Sequence, residues 1–334
     1  MATPENLMGV CVEMIECDRA LLADLACQGR GEAGERALVL LDHCGDCEVR
    51  QVYAHGSGGS GILVMNQSFM TKLINNSTAR NAVAGTHLQG NDQGRGGDWP
   101  PQLILGGTSI GELGDGFRVA HSFCVNLVGC QTYQARGYGF HICEHANSAC
   151  LSGCRAYQGL SGGVKVDDSH EINISSSIIC WNLGPGIQLN DVTWGTVSAN
   201  NVIDNGGRTK PQHGIRLSGN TKTIQVSANA IFNWPGHQPM DHGVYEDETC
   251  SNNQITGNNI SFYQHNAVAV GGRHSVESAN LVTKDAYVHP GGLDIFPKDA
   301  LGNPIMTPLP EDEFTTGRVD AFLDRWVSPI KPRV

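Results

Sequence analysis

Apolar and polar residues alternate along much of the chain in short blocks that follow a small residue. Six blocks read glycine, apolar, variable, apolar, or a close variant, and begin at Gly116, Gly139, Gly163, Gly186, Gly214 and Gly243. A seventh block is Ala267-Val268-Ala269-Val270, and successive starts lie 23, 24, 23, 28, 29 and 24 residues apart. Alternation with a period of two predicts strands with one buried face, and the near-constant spacing predicts a repeated structural unit.

A second column of small residues falls 14 or 15 residues after each start, just before a short apolar segment. Its members are Cys130, Cys154, Ser177, Asn200, Asn229 and Asn258. Side-chain amides that stack in this way can hydrogen-bond to each other and to the turn backbone of the next repeat. The column therefore predicts an asparagine ladder at an internal turn.

These two columns predict an all-β fold. A repeat of about 23 residues cannot bury its apolar faces alone, but stacked repeats pair their strands in parallel at a spacing of about 4.8 Å. Earlier copies at Gly9, Ala37 and Gly61 extend the pattern toward the N-terminus. We therefore predict a parallel β-helix, a solenoid of roughly ten or more rungs, in which the variable residue of each block faces solvent.

The repeat resembles the right-handed parallel β-helix superfamily of pectate-lyase-like and related glycan enzymes. The resemblance covers roughly residues 9–285 and implies a right-handed solenoid. It also implies a glycan as the partner, although the repeat itself is structural and identifies no reaction.

Two segments depart from the period. We predict a β-helix domain over 1–285 with a long glycine-rich loop at about 82–115, and a C-terminal tail over 286–334 with a helix at about 316–328. Because a rung begins by Gly9, we expect this end to be covered either by an upstream cap that has been removed or by another subunit in a dimer or trimer.

Composition narrows the class of protein. The 334 residues include 42 glycines, about one in eight, and only 16% are charged, which excludes disorder and helical bundles. The net charge of −11 argues against nucleic acid as a partner, and no apolar run is long enough for a membrane helix. No signal peptide is visible, and the sequence leaves the location open: secreted or periplasmic if the N-terminus is truncated, otherwise cytoplasmic.

Twelve cysteines are present, and most lie within apolar strand patterns. We expect buried free thiols that pack as small hydrophobic groups. Cys44 and Cys47 form a single C-x-x-C, which is too little for a four-ligand zinc site.

The variable positions of the blocks line up as an outward column. This column consists of Arg118, His141, Lys165, Gln188, Arg216, Tyr245 and Ala269. Carboxylates follow two and three positions later, among them Asp167, Asp168, Asp191, Asp247 and Glu248. Cations beside carboxylates suit binding and cleavage of a glycan, whereas a solvated mixed-charge face is the structural alternative.

Two long rungs carry insertions just before adjacent strands, at 206–213 and 234–242. Each ends in His-Gly, which places His213 and His242 one rung apart on a wall beside the outward column. Histidine transfers protons near neutral pH, although each could equally cap a turn. Trp234 could stack on a sugar ring or be buried.

Two segments are similar to motifs of known glycan enzymes. The segment QHGIRL, with His213 and Arg216, resembles the His-Gly and Arg segment of polygalacturonases, but Ser161-Gly162 and Gly184-Pro185 replace that family's acidic residues. Asp168-Ser169-His170-Glu171 resembles the D-P-H-E motif of mannuronan epimerases at a different phase of the repeat, and we interpret it as a turn.

The favoured function is cleavage of an acidic poly- or oligosaccharide by lyase-type β-elimination. A glycoside hydrolase with paired carboxylates and a non-catalytic glycan-binding or structural solenoid, such as a fibre or adhesin segment, are the alternatives. The catalytic candidates are Lys165, Asp168, Asp191, His213, Arg216, His242 and Asp247. The substrate-binding candidates are Arg118, His141, Gln188, Arg208, Trp234 and Tyr245. The sequence identifies no definite cofactor, but Asp167, Asp168 and Asp191 could hold Ca²⁺.

Overall fold

The computed structural model describes residues 10–90, 102–206, 211–234 and 238–284. The chain divides into two units, Met1–Tyr287 and Val288–Val334. The second unit, with the helix predicted at 316–328, lies outside the described residues, as does Arg208. No helix among the described residues is long and apolar enough to cross a membrane.

The first unit is a parallel β-solenoid of eleven turns, each with three strand positions. The first position is occupied by β1 (Val12–Ile15), β4 (Ala37–Asp42), β7 (Ser60–Met65), β10 (Ala84–Gln89), β13 (Asp115–Ala120), β16 (Tyr138–Cys143), β19 (Gly162–Ser175), β21 (Ile187–Ser198), β23 (Ile215–Ser218), β26 (Met240–Glu246) and β29 (Tyr263–Val270). The long strands β19 and β21 continue through the second position as well.

The other two positions contain shorter strands. The second position is occupied elsewhere by β2 (Leu21–Ala23), β5 (Glu48–Arg50), β8 (Lys72–Ile74), β11 (Gln102–Leu105), β14 (Val125–Val128), β17 (Cys150–Ser152), β24 (Lys222–Ser227), β27 (Gln254–Thr256) and β30 (Val276–Ser278). The third is occupied by β3 (Ala26–Gln28), β6 (Tyr53–His55), β9 (Ser77–Ala79), β12 (Thr108–Ile110), β15 (Gln131–Tyr133), β18 (Arg155–Tyr157), β20 (Ile178–Cys180), β22 (Asn201–Ile203), β25 (Ala230–Phe232), β28 (Asn259–Ser261) and β31 (Leu281–Thr283). Third-position strands form an eleven-stranded sheet of their own.

The repeated glycine is required by close packing between turns. A Cβ on Gly163 would lie 2.2 Å from Cγ2 of Ile179 and 2.6 Å from the carbonyl oxygen of Gly186. A Cβ on Gly186 would meet Val202 at 2.5 Å in the same way. The glycine that opens each block thus lets the first strand pass close to the third strand of its own turn.

The predicted asparagine ladder is confirmed. Asn200, Asn229, Asn258 and Asn280 stack, and each side-chain amide of the first three donates to Oδ1 of the next at 2.9–3.0 Å. Asn229 also donates to the carbonyl oxygen of Val197. These bonds satisfy buried polar groups that a solenoid corner would otherwise leave without partners.

Three local predictions need correction. The predicted loop at 82–115 is too wide, because β10, β11 and β12 lie within it and only residues 91–101 fall outside the described ranges. The segment Asp168–Glu171 is not a separate turn but part of the paired strand β19, which bends where Asp168 and Glu171 adopt positive φ. All twelve cysteines are free and eight are buried, but Cys11 is exposed and Cys17, Cys124 and Cys150 are only half-buried.

Candidate functional site

The outward column exists as predicted, because parallel pairing aligns its members one for one. Arg118 pairs with His141, His141 with Lys165, Lys165 with Gln188, Gln188 with Arg216, and Arg216 with Tyr245. Since neighbouring strands lie about 4.8 Å apart, the column presents one side chain per turn along a straight line.

The N-terminal part of this column forms a charge network, defined by Arg118, Asp115, His141, Asp167 and Lys165. Nδ1 of His141 lies 2.9 Å from Oδ2 of Asp115, and Nε2 lies 3.1 Å from Oδ2 of Asp167. Lys165 contacts the same Asp167 oxygen at 2.8 Å, and Arg118 lies 3.5 Å from Asp115. Charges of opposite sign alternate through the network, so most of its members already have partners.

These contacts set the protonation of the network. Burial lowers the pKa of His141, but hydrogen bonds to Asp115 and Asp167 outweigh burial and raise that pKa to about 11. Burial likewise opposes ionisation of Asp167, yet His141 and Lys165 hold its pKa below the usual value. His141 is therefore a cation at neutral pH and cannot accept a proton.

A second group of side chains lies further along the same face. We call it the histidine cluster, and its members are His213, Asp241, His242, Tyr245 and His265. The ring centroids of His213 and His242 are 5.4 Å apart, and those of His242 and His265 are 5.5 Å apart. Asp241 lies between two of the rings, with Oδ2 3.7 Å from Nδ1 of His213 and Oδ1 2.5 Å from Nδ1 of His265.

His213 has the opposite protonation from His141. Burial lowers the pKa of His213 to about 4, helped by the charges of His242 and Arg216 and opposed by Asp241. Its Nδ1 is buried and has no hydrogen-bond partner among the described residues. The ring is therefore neutral at pH 7 and has a lone pair to give.

Arg216 is the cation of the outward column nearest to this imidazole. Within the described ranges it forms no ion pair, unlike Arg118 and Lys165, and its buried Nε has no partner. Gln188 lies beside it in the register, and Tyr245 follows on the other side. A groove of about 660 Å³ adjoins Tyr245 and is lined also by Asp247, Glu248 and Asn266.

The carboxylates predicted for catalysis or calcium binding have separate structural partners. Asp168 lies 3.4 Å from His145, and Asp191 accepts hydrogen bonds from the backbone N–H of Asn220 and the amide of Asn190. Burial opposes ionisation of Asp247, but hydrogen bonds from Thr249, one of them from its backbone N–H at 3.0 Å, lower the pKa. Asp167 contacts His141 and Lys165, so each of the three predicted calcium ligands has a partner within the protein, and calcium binding by them stays a prediction.

Trp234 is half-buried and packs edge-on against Phe232, with centroids 5.5 Å apart. Sequence reasoning missed four residues that contact the candidate site residues, namely Asp115, Tyr138, Asp241 and His265. Tyr138 lies 5.3 Å, ring centroid to Nζ, from Lys165. Asp115 and Tyr138 each lie directly before a repeated glycine, and this shared position is the sequence feature that could have identified these two residues.

Comparison with known proteins agrees with the fold. Residues 107–260 match the family model described as right handed beta helix region. This match covers 154 of the 334 residues and agrees with the right-handed parallel β-helix fold that the sequence predicts. A search of curated proteins found no match.

Solved structures share this architecture at low sequence identity. The A-module of Azotobacter vinelandii mannuronan C-5 epimerase AlgE6 is 17% identical, with a TM-score of 0.66 over 79% of this chain and 74% of that chain. The A-module of Azotobacter vinelandii mannuronan C-5 epimerase AlgE4 is 14% identical, with a TM-score of 0.68 over 77% of this chain and 73% of that chain. Tailspike protein 3 of bacteriophage CBA120 is 11% identical, with a TM-score of 0.51 over 79% of this chain and 46% of that chain. At these identities the similarity shows the fold.

Proposed function

We propose that the protein is an enzyme that acts on an acidic poly- or oligosaccharide laid along the outward column. Arg216 binds a uronate carboxylate, and His213 removes the proton from the carbon beside that carboxylate. The observation that carries the proposal is the juxtaposition of a neutral imidazole with a guanidinium that has no carboxylate partner among the described residues. Proton abstraction beside a carboxylate needs both a base and a cation that stabilises the developing negative charge.

Asp241 supports the base in this scheme. When Nε2 of His213 takes the proton, Asp241 faces Nδ1 at 3.7 Å and stabilises the imidazolium. With its lowered pKa, His213 is a weak proton acceptor, and the neighbouring charge of Asp241 improves it by stabilising the protonated ring. In this scheme Tyr245, which stacks on His213, delivers a proton to the departing oxygen.

Removal of the proton leaves an electron pair on carbon, and the product depends on what this pair does next. In β-elimination it forms a carbon–carbon double bond while the glycosidic carbon–oxygen bond breaks, and the leaving oxygen takes a proton. This is the reaction that we favour. In epimerisation the same carbon takes a proton from the opposite face, and the glycosidic bond is not cleaved. The similarity to structures named as mannuronan C-5 epimerases supports this second outcome.

Hydrolysis has weaker support. It needs two carboxyl groups free to act as acid and base or nucleophile. Asp168, Asp191 and Asp247 are instead held by His145, Asn220 and Thr249. A non-catalytic glycan-binding solenoid is supported by the similarity to a tailspike protein and by the internally paired charges of the network.

One experiment separates these outcomes. The purified protein would be incubated with polyuronates and neutral polysaccharides in D₂O. Ultraviolet absorbance of an unsaturated end reports elimination, and deuterium on the carbon beside the carboxylate without chain cleavage reports epimerisation. New reducing ends without either signal would indicate hydrolysis. Binding without any of these signals would leave a glycan-binding protein and overturn the enzymatic proposal.

A further inference from the structure

Three side chains of the histidine cluster converge on one point. One ligand atom each from His213, Asp241 and His242 lies within 4.8 Å of the other two. In a tetrahedral zinc site with bonds of about 2.0–2.1 Å, neighbouring ligand atoms are about 3.3 Å apart. The separation of 3.7 Å between Nδ1 of His213 and Oδ2 of Asp241 is close to this value.

The surroundings fit a metal ligand set. Nδ1 of His213 is buried without a hydrogen-bond partner among the described residues, which is unfavourable unless another group contacts it. His265 binds Oδ1 of Asp241 and leaves Oδ2 directed toward His213. Such an outer hydrogen bond orients the carboxylate that coordinates a metal.

His242 can join at little cost. Its Nδ1 accepts the backbone N–H of Asn266 at 3.3 Å, near the upper limit for such a bond. Its ring is half-buried, as are Asp241 and His213, so an ion can enter from solvent. Two imidazoles and one carboxylate are the donor set of zinc and related ions, whereas calcium prefers oxygen ligands.

We propose that His213, Asp241 and His242 bind a divalent transition metal ion of the zinc class, and that the bound ion blocks proton transfer by His213. The second half rests on the proposed function. A metal on Nδ1 leaves the ring proton on Nε2, so the neutral ring has no second lone pair to accept a proton. Metal binding and proton abstraction therefore exclude each other at this residue.

The test uses Co²⁺ as a spectroscopic probe on the full chain after dialysis against a chelator. Ligand-field bands without a thiolate-to-cobalt band identify nitrogen and oxygen ligands and separate this site from the twelve cysteines. We expect one such ion per chain. His242→Asn should weaken its binding about 100-fold or more, and His265→Asn by about 10- to 100-fold through the outer hydrogen bond. The matched control His145→Asn, outside the cluster, should bind Co²⁺ as the wild type does.

The outcomes test the metal site and the blocking role of the bound ion separately. Thiolate bands, or binding that His242→Asn leaves intact, would overturn the metal site. If Co²⁺ binds but saturating metal leaves deuterium exchange or elimination undiminished, the blocking role is wrong. If the metal binds and the metal-free protein transforms no glycan, the proposed function fails while the metal site stands.

Discussion

The imidazole ring of His213 stacks on the phenol ring of Tyr245, with centroids 4.6 Å apart and planes inclined by 11°. The two residues belong to consecutive turns, and Tyr245 is aligned with Arg216 in the register. The stack therefore holds the proposed base over the column on which the substrate would lie. Two roles are proposed for Tyr245, orientation of the His213 ring and proton delivery by its hydroxyl group, and substitution can separate them.

Tyr245→Phe should keep the stack and lose only the hydroxyl. If the phenol delivers the proton, kcat falls by about 100-fold while KM changes little. Tyr245→Ala removes the stack too, so His213 loses its orientation and both parameters worsen. Steady-state kinetics on whichever polyuronate the D₂O incubation shows to be transformed would measure this. Equal activity of Tyr245→Phe and wild type would remove Tyr245 from the chemistry and leave it a packing role.

Arg216→Ala should lower kcat/KM by about 10- to 100-fold, the value of one charged hydrogen bond to the uronate carboxylate. Arg216→Lys keeps the charge but loses the planar fork, so it should recover only part of the activity. Arg155→Ala, in the third-position sheet, is the matched control and should leave kcat/KM unchanged. The assignment of the carboxylate site to Arg216 would not survive if both alanine variants behaved alike.

The alignment of the outward column was predictable because the apolar pair and the glycine of each block fix the register. Once Phe117 stacks on Phe140 inside the solenoid, Arg118 and His141 must lie side by side outside it. The asparagine ladder was predictable for the same reason. Identical spacing in consecutive turns leaves identical side chains one above the other.

The histidine cluster was predictable only in part. His213 and His242 keep the repeat phase, but the register shifts between Met240 and His242 where β26 pairs with β29. This irregularity brings His265 against Asp241, and nothing in the alternating pattern signals a bulge. The predicted catalytic role of Asp191 depends on the direction of a carboxylate at a corner, which the pattern does not specify either.

Asp191→Ala tests whether this carboxylate supports structure or chemistry. Loss of its hydrogen bonds from Asn220 and Asn190 should lower the free energy of unfolding by about 1–3 kcal/mol. The folded variant should keep the wild-type kcat/KM. The control Asp168→Ala removes an exposed contact with His145 and should change stability by less than about 1 kcal/mol. Denaturant unfolding would measure the stability of each variant, and steady-state kinetics would measure its activity. Unchanged stability together with lost activity would instead indicate a catalytic role for Asp191.

Glu112 should make stability depend on pH. Its carboxyl group is fully buried and accepts the backbone N–H of Asn81 at 2.6 Å and the hydroxyl of Ser109 at 3.0 Å. Burial outweighs these bonds and raises its pKa from 4.5 to about 8. The folded protein thus retains a proton that the unfolded chain releases, so the stability contributed by Glu112 is complete below pH 4.5 and is lost as pH rises through 8.

Glu112→Gln imitates the protonated carboxyl group and should flatten this dependence. The free energy of unfolding of the wild type should fall by up to a few kcal/mol relative to that of the variant between about pH 5 and pH 8, because a tenfold change in a proton affinity is worth about 1.4 kcal/mol. His141, whose pKa is about 11, also contributes stability that is lost as pH rises. This contribution is the same in wild type and variant, so it cancels from the difference in the free energy of unfolding. The exposed Glu277→Gln is the matched control. Parallel pH profiles for wild type and Glu112→Gln would mean that Glu112 is ionised in the folded protein.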